Sequence, residues 1–258
     1  MKPTLTILKI GGNVIDLPSS LETVLSDFAS WREHKALVHG GGKQASSLMN
    51  RLGIAPQMVN GRRITDRQTL DIVTMVYAGL INKNIVATLQ KHACNAIGLS
   101  GADAGVIPAT KRPVKETDYG FVGDVIPADI RAEQLSRFID MGLAPVIAPI
   151  THNREGSLLN TNADTIASGV AVALSQYYRV QLVFCFEKNG VLRDPSDDHS
   201  VIARMDEALF LQCKNEGVIT AGMIPKLENA FAALHGGVAG VRICSPEGVE
   251  NGGTSISL

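Results

Sequence analysis

Short apolar runs alternate along this chain with longer stretches of helical period. Runs at 4–10, 35–39, 95–99, 143–148, 180–186 and 240–245 read as buried strands, bounded by turn residues and rich in Val, Ile and Leu. Between them, apolar positions three and four apart predict helices over 19–31, 43–52, 66–81, 83–91, 131–141, 163–176, 205–216 and 224–235. Such alternation predicts an α/β fold with a largely parallel sheet covered on both faces. The helix over 66–81 is apolar nearly all round, so it is either a central core helix or one shared with a second subunit. Residues 106–125 have no helical period. Pro108, Pro113 and Gly120 punctuate two extended pieces there, which predicts a β-hairpin lying over a substrate site.

Composition narrows the partners. The chain has 258 residues, 45% of them hydrophobic and 19% charged, with a net charge of −1. That balance gives no electrostatic reason to expect nucleic acid or an anionic membrane. The cysteines (Cys94, Cys185, Cys213, Cys244) form no CxxC or Cys/His spacing, so neither a zinc site nor a disulfide framework is expected. With no leader-like N-terminus and no run near 18 apolar residues, the expectation is a soluble cytoplasmic protein. The best boundary between lobes lies near 176–180, dividing 1–177 from 178–258.

The candidate chemistry sits where strands run into glycines. In TLTILKIGGNV, Lys9 interrupts an apolar strand just before Gly11 and Gly12. In LVHGGGKQASSLM, a strand ends in three glycines and a helix follows. That arrangement lets backbone N–H groups and a helix N-terminus approach an anion. A dinucleotide fingerprint fits weakly through Gly40, Gly42 and Ala45. The acidic ribose partner is missing about 20 residues on, where Arg62 and Arg63 stand instead, so a phosphate cradle is the better reading. In SLLNTNADTIASGVA, Asn160 and Asn162 share one face of an extended segment. Asn162 or a neighbour caps the next helix, with Asp164 in its first turn. Lys226, in GMIPKLENA, stands at the start of a helix, where the dipole disfavours a cation unless an anionic ligand is present. Arg63, after an Asn–Gly turn, suits bidentate grip of a carboxylate. No Ser/His/Asp or Cys/His arrangement competes, and His39 reads as structural. Lysines, glycine amides and one organising carboxylate suit phosphoryl transfer, which needs fixed donors around the moving phosphate more than covalent help.

The ordered set KIGG (9–12), HGGG (39–42), NGRRIT (60–65), INK (81–83), GLSGADAGVI (98–107), GDV (123–125), NTNAD (160–164) and GMIPK (222–226) resembles the acetylglutamate kinases of the amino-acid kinase family. The resemblance implies a three-layer αβα sandwich around a mainly parallel open sheet, with an N-terminal lobe for the acylglutamate and a C-terminal lobe for ATP. It implies ATP-dependent phosphorylation of the side-chain carboxylate of N-acetyl-L-glutamate, in arginine biosynthesis, with Mg2+ held mainly by nucleotide oxygens. By that resemblance Lys9 and Lys226 stabilise charge on the transferring and leaving phosphates, and Asp164 positions both. Gly11, Gly12, Gly41 and Gly42 offer amides, the latter two also to the acceptor, whose α-carboxylate Arg63 and Asn160 hold. The stretches Glu187, Lys188, Asn189, Gly190, Val191, Leu192 and Val218, Ile219, Thr220 correspond to nucleotide-binding segments. FEKNG (186–190) departs from the family's usual Thr/Ser–Asp–Val step, and Ala221 stands where Gly or Asp is usual. An N-succinylglutamate acceptor is the alternative, with Arg62, Lys111, Arg112 or Lys115 meeting a second carboxylate. Another acceptor of this superfamily, or a non-catalytic sensor, is a further reading. Hexameric, arginine-inhibited relatives carry an extra N-terminal helix, and none fits before Thr4. The expectation is therefore an arginine-insensitive homodimer with 66–81 at its interface.

Overall fold

The computed structural model describes residues 1–59, 61–219 and 222–258. Asn60 of NGRRIT, and the positions of Thr220 and Ala221, lie outside the described residues. The main sheet has eight strands: β1 (Thr4–Ile10), β2 (His34–His39), β3 (Ala96–Leu99), β4 (Ala144–Ile147), β5 (Arg179–Cys185), β6 (Arg204–Met205), β7 (Gly240–Cys244) and β8 (Thr254–Ile256). Their order is β6-β8-β7-β5-β1-β2-β4-β3, parallel throughout except where β8 meets β7. All six predicted strands are present. The two additions, β6 and β8, are too short to show a period.

β1 is central, pairing with β5 on one side and β2 on the other. Its alternation feeds two cores: Leu5 and Ile7 enter one cluster, Leu8 and Ile10 the other. Helices α1 (Gly12–Asp16), α2 (Pro18–Ser30), α3 (Gly42–Arg51) and α4 (Arg67–Lys91) cover the Leu8 face. On the Ile7 face lie α5 (Ala132–Asp140), α6 (Ala163–Leu174), α7 (Glu207–Asn215) and α8 (Ile224–His235). This is the expected three-layer sandwich. The chain leaves the carboxyl end of β1 between strands that continue in opposite directions across the sheet. An open α/β sheet forms its ligand crevice at that kind of switch point.

The predicted helices 66–81 and 83–91 are one continuous helix, α4, with a π-helical stretch at Met75–Ile81. Its buried positions Val73, Tyr77, Ile81, Ile85 and Leu89 recur every four residues. At about 100° per residue a regular α-helix would carry that seam roughly 160° around the cylinder. The wider π turn takes back part of the drift and keeps the seam on the core. By length and composition α4 could cross a membrane, yet 44% of its most apolar window is buried inside the protein. Met75 and Leu80 are more than half exposed, so the helix is apolar on both its core and its solvent side.

The segment 106–125 does form a hairpin, pairing Thr110–Lys111 with Gly123–Asp124. A second hairpin pairs Met58–Val59 with Arg62–Arg63. A third pairs Ile150–His152 with Leu158–Asn160. Bridges Val122↔Asn160 and Thr65↔Gly120 stitch these pieces together beside the carboxyl ends of the main strands.

Candidate active site

Lys9 ends up in the middle of the sheet, buried at the carboxyl end of β1. A bare ammonium there would be costly, and burial does lower its pKa, with nearby Lys226 adding to that effect and Asp164 opposing it. Asp164 sits in the first turn of α6. The helix is capped by Asn162, whose side-chain oxygen accepts from the amides of Asp164 (2.8 Å) and Thr165 (3.1 Å). One carboxylate oxygen lies 2.5 Å from Lys9 Nζ, a close ion contact without hydrogen-bond alignment. The other accepts from Lys226 Nζ at 3.0 Å. Burial works to raise the Asp164 pKa, but the two ammonium groups outweigh it and hold the acid down to about 2. Lys226 reaches this point from the first turn of α8, with its ammonium 5.9 Å from the Phe186 ring centre.

These three charges link a string of cavities. A pocket of about 230 Å³ holds Lys9, Gly41, Gly42, Arg63, Asn160 and Asp164. A pocket of about 270 Å³ holds Gly190, Val191, Leu192, Val218, Ile219 and Lys226. Between them lies an open cleft of about 950 Å³, to which Lys9, Lys226, Gly11, Gly12 and Glu187 contribute. The structure thus gathers the described candidates other than Asn189 from both halves of the sequence, though not all in the roles expected.

Gly11 is one departure. Its amide donates to the Cys185 carbonyl at 3.0 Å, so it is committed to joining β1 to β5 and is not free for a phosphate. The amides of Gly12, Gly41 and Gly42 have no such partner among the described residues. A Cβ on Gly12 would meet nothing within 4 Å, so the fold does not require glycine there and the missing side chain leaves the cleft open. Gly41 differs. Its φ of +153° suits glycine, and a Cβ would lie 2.4 Å from the Ile81 side chain and 3.0 Å from the Tyr77 ring.

Arg63 is another departure. Its Nη2 donates to the Gly42 carbonyl (2.9 Å) and Ser46 Oγ (2.8 Å), and Nη1 to Met49 Sδ (3.3 Å). The guanidinium is locked onto α3 rather than held open as a fork, leaving Nε–H and one Nη1–H. Asn160 gives one amide hydrogen to Thr65 Oγ1 (3.0 Å) and keeps the other.

FEKNG has a local explanation. Lys188 Nζ donates to Asp198 Oδ1 (2.8 Å) and Asn189 Nδ2 to the Asp198 carbonyl (3.2 Å), tying the loop that carries Pro195 to the rim of the pocket of about 270 Å³. Of this stretch, Asn189 does not line that pocket. His39 is structural, as expected. Burial lowers its pKa to about 4, so the ring is neutral at pH 7. It pairs with the Gly40 carbonyl (2.8 Å) and Asn82 Nδ2 (3.2 Å), which also donates to the Val146 carbonyl. Asn82 therefore explains the INK motif as a brace beneath the HGGG turn.

Sequence reasoning missed Tyr77, Met58 and Pro149 as pocket-lining residues. Each lies within an apolar or turn segment whose pattern says core or loop. Arg112 also lines the smaller pocket, paired with Asp124.

The amino acid kinase family model matches residues 4–245. The chain belongs to the amino acid kinase family. Among curated members it is 54% identical to the acetylglutamate kinase of Bacteroides fragilis, over 99% of this chain and 98% of that one. It is 55% identical to that of Cytophaga hutchinsonii, over 94% and 92%. A solved Streptococcus mutans protein superimposes with a TM-score of 0.82 at 27% identity, covering 98% of each chain. The fold alone is shared with Giardia lamblia carbamate kinase bound to AMP-PNP, at a TM-score of 0.70 and 13% identity over 99% of this chain and 98% of that one.

Proposed function

We infer that the protein is an ATP-dependent kinase that phosphorylates the side-chain carboxylate of N-acetyl-L-glutamate to the acyl phosphate, a step of arginine biosynthesis. The observation that carries the reading is the Lys9–Asp164–Lys226 array bridging two pockets. In a chain more than half identical to named acetylglutamate kinases, that array has a ready use. The same relatives favour the acetyl acceptor over the succinyl one.

The chemistry follows from the charges. A carboxylate with a pKa near 4.3 is already ionised at pH 7, so the acceptor needs no general base. Asp164, with a pKa of about 2 and both oxygens facing lysines, is fitted to position and not to remove a proton. Lys9 reaches both the acceptor pocket and the cleft, which suits it to the charge on the phosphoryl group in transfer. Lys226 reaches the cleft and the nucleotide-side pocket, which suits it to the leaving phosphate. The amides of Gly12, Gly41 and Gly42 add uncharged donors. The acceptor side draws on residues up to Asp164 and the nucleotide side on residues from Phe186, in keeping with a two-lobe division near 177. Among the described residues no cluster of His, Cys, Asp and Glu is poised for a metal. Magnesium would arrive on the ATP oxygens and supply charge neutralisation there. The exposed apolar side of α4, with Met75 and Leu80, suits a second copy of the chain in a homodimer. Four free, buried cysteines suit a reducing cytoplasm.

Incubation with ATP and a panel of acylglutamates, with hydroxylamine to trap the acyl phosphate, tests this. N-Acetylglutamate is expected to give the hydroxamate. No hydroxamate from any acceptor would favour a sensor.

A further inference from the structure

Arg63 cannot hold a carboxylate as a fork while its Nη2 is engaged twice on α3. The α-carboxylate of an acylglutamate offers about four lone-pair sites, and Asn160 keeps only one amide hydrogen for it. With the Nε–H and one Nη1–H that Arg63 retains, three side-chain donors face about four sites, which leaves room for one more on the wall of the same pocket. Tyr77 occupies that wall, only 5% exposed, on the π-helical turn of α4. Its ring lies against Gly41, 3.0 Å from where a Cβ would stand, so the glycine turn and the ring are packed together at this wall. Burial raises the phenol's pKa and the neighbouring Arg63 opposes that shift, so at pH 7 the group is a neutral O–H beside the guanidinium. A guanidinium can only donate, so the phenol's own hydrogen is left for another acceptor.

We propose that Tyr77 is an acceptor-binding residue whose phenol donates a hydrogen bond to the α-carboxylate of the acylglutamate, completing the grip of Arg63 and Asn160. This rests on the acylglutamate kinase reading given above. It also gives the π turn a purpose. Met75–Ile81 holds Tyr77 and Ile81 against the glycine turn while Asn82, next in line, braces His39.

The test is Tyr77→Phe, which keeps the ring on Gly41 and removes only the hydroxyl. Wild-type enzyme and variant are assayed with N-acetylglutamate and with its α-carboxamide, which retains the side-chain carboxylate but not the α-charge. For a lost hydrogen bond to a charged group, KM for the acid is expected to rise roughly tenfold or more. The carboxamide should lose much less, and KM for ATP should stay put. Equal losses for acid and amide, or an unchanged KM for the acid, would overturn the proposal. So would a shift in KM for ATP as large as that for the acid, since it would reduce Tyr77 to packing. If Tyr77→Phe unfolds, equilibrium binding of the acid and the amide to the wild type decides instead. On binding, the acid should red-shift the tyrosine ultraviolet absorbance, as a phenol's does when it donates to a carboxylate, and the amide should do so much less; equal difference spectra for the two would overturn it. A wild type that makes no hydroxamate from either acceptor rejects the kinase reading itself, which is a different failure.

Discussion

The role proposed for Lys9 in charge stabilisation can be separated from any contribution it makes to stability. Its ammonium is buried with a lowered pKa, so the fold bears a desolvation cost to keep it charged. Lys9→Met should lower kcat by about 10²–10³, the size expected for losing a fixed transition-state donor. Its melting temperature should hold or rise, because Asp164 retains Lys226. Steady-state kinetics beside thermal unfolding checks both halves. Asp164→Asn should behave oppositely, leaving two ammonium groups close together without a counter-charge and costing about 3–5 kcal/mol.

The pH dependence has a definite sign. Asp164 has a folded pKa of about 2 against an ordinary 3.8, so its contribution is present above pH 4 and is lost as pH falls through 2. About 2 kcal/mol is at stake. Denaturant titrations between pH 5 and 2 should show that slope in the wild type and a shallower one in Asp164→Asn. At this scale much of the site was legible. A lysine in an apolar strand, a lysine at a helix start and an aspartate behind an asparagine cap each break a local rule, and all three meet at one point. The commitments of Gly11 and Arg63 were not legible, because they depend on β5 and α3 arriving from elsewhere in the chain.

At the scale of elements, two glycines that look alike in sequence should respond differently. Gly41→Ala meets a side chain at 2.4 Å and a φ that alanine rarely adopts, so a destabilisation of several kcal/mol is expected. Gly12→Ala meets nothing within the protein. It should leave the melting temperature nearly unchanged and raise KM for substrates, since the added methyl projects into the cleft. Thermal melts and kinetics on the pair distinguish a glycine kept for the fold from one kept for the ligand. The strands were readable because a buried parallel strand is a continuous apolar run. The π turn was not, since a buried position every fourth residue resembles a helix apolar all round. Five-residue α1 and two-residue β6 are too short for any period to register.

For the whole molecule, the exposed Met75 and Leu80 on α4 give the assembly a test. If that surface seats a second copy, Met75→Lys with Leu80→Glu should turn a dimer into a monomer in sedimentation. A dimer that survives both changes would place the interface elsewhere. The three-layer architecture was legible from the alternation of elements. The order of strands was not, because nothing local in β1 says that its neighbour lies far along the chain.

That last separation bears on how the molecule is made. Thr4 pairs with Arg179, so the first strand stays open on one side until the fifth has been synthesised. At about 5–20 residues per second, translation leaves that edge bare for roughly ten to thirty seconds. A long apolar strand with exposed N–H and C=O groups is a template for the wrong partner. Newly made chains should therefore depend on chaperones more than their final stability suggests, and fragments ending before residue 179 should aggregate. The strand that carries Lys9 to the centre of the enzyme is also the one that has to wait longest for its neighbour.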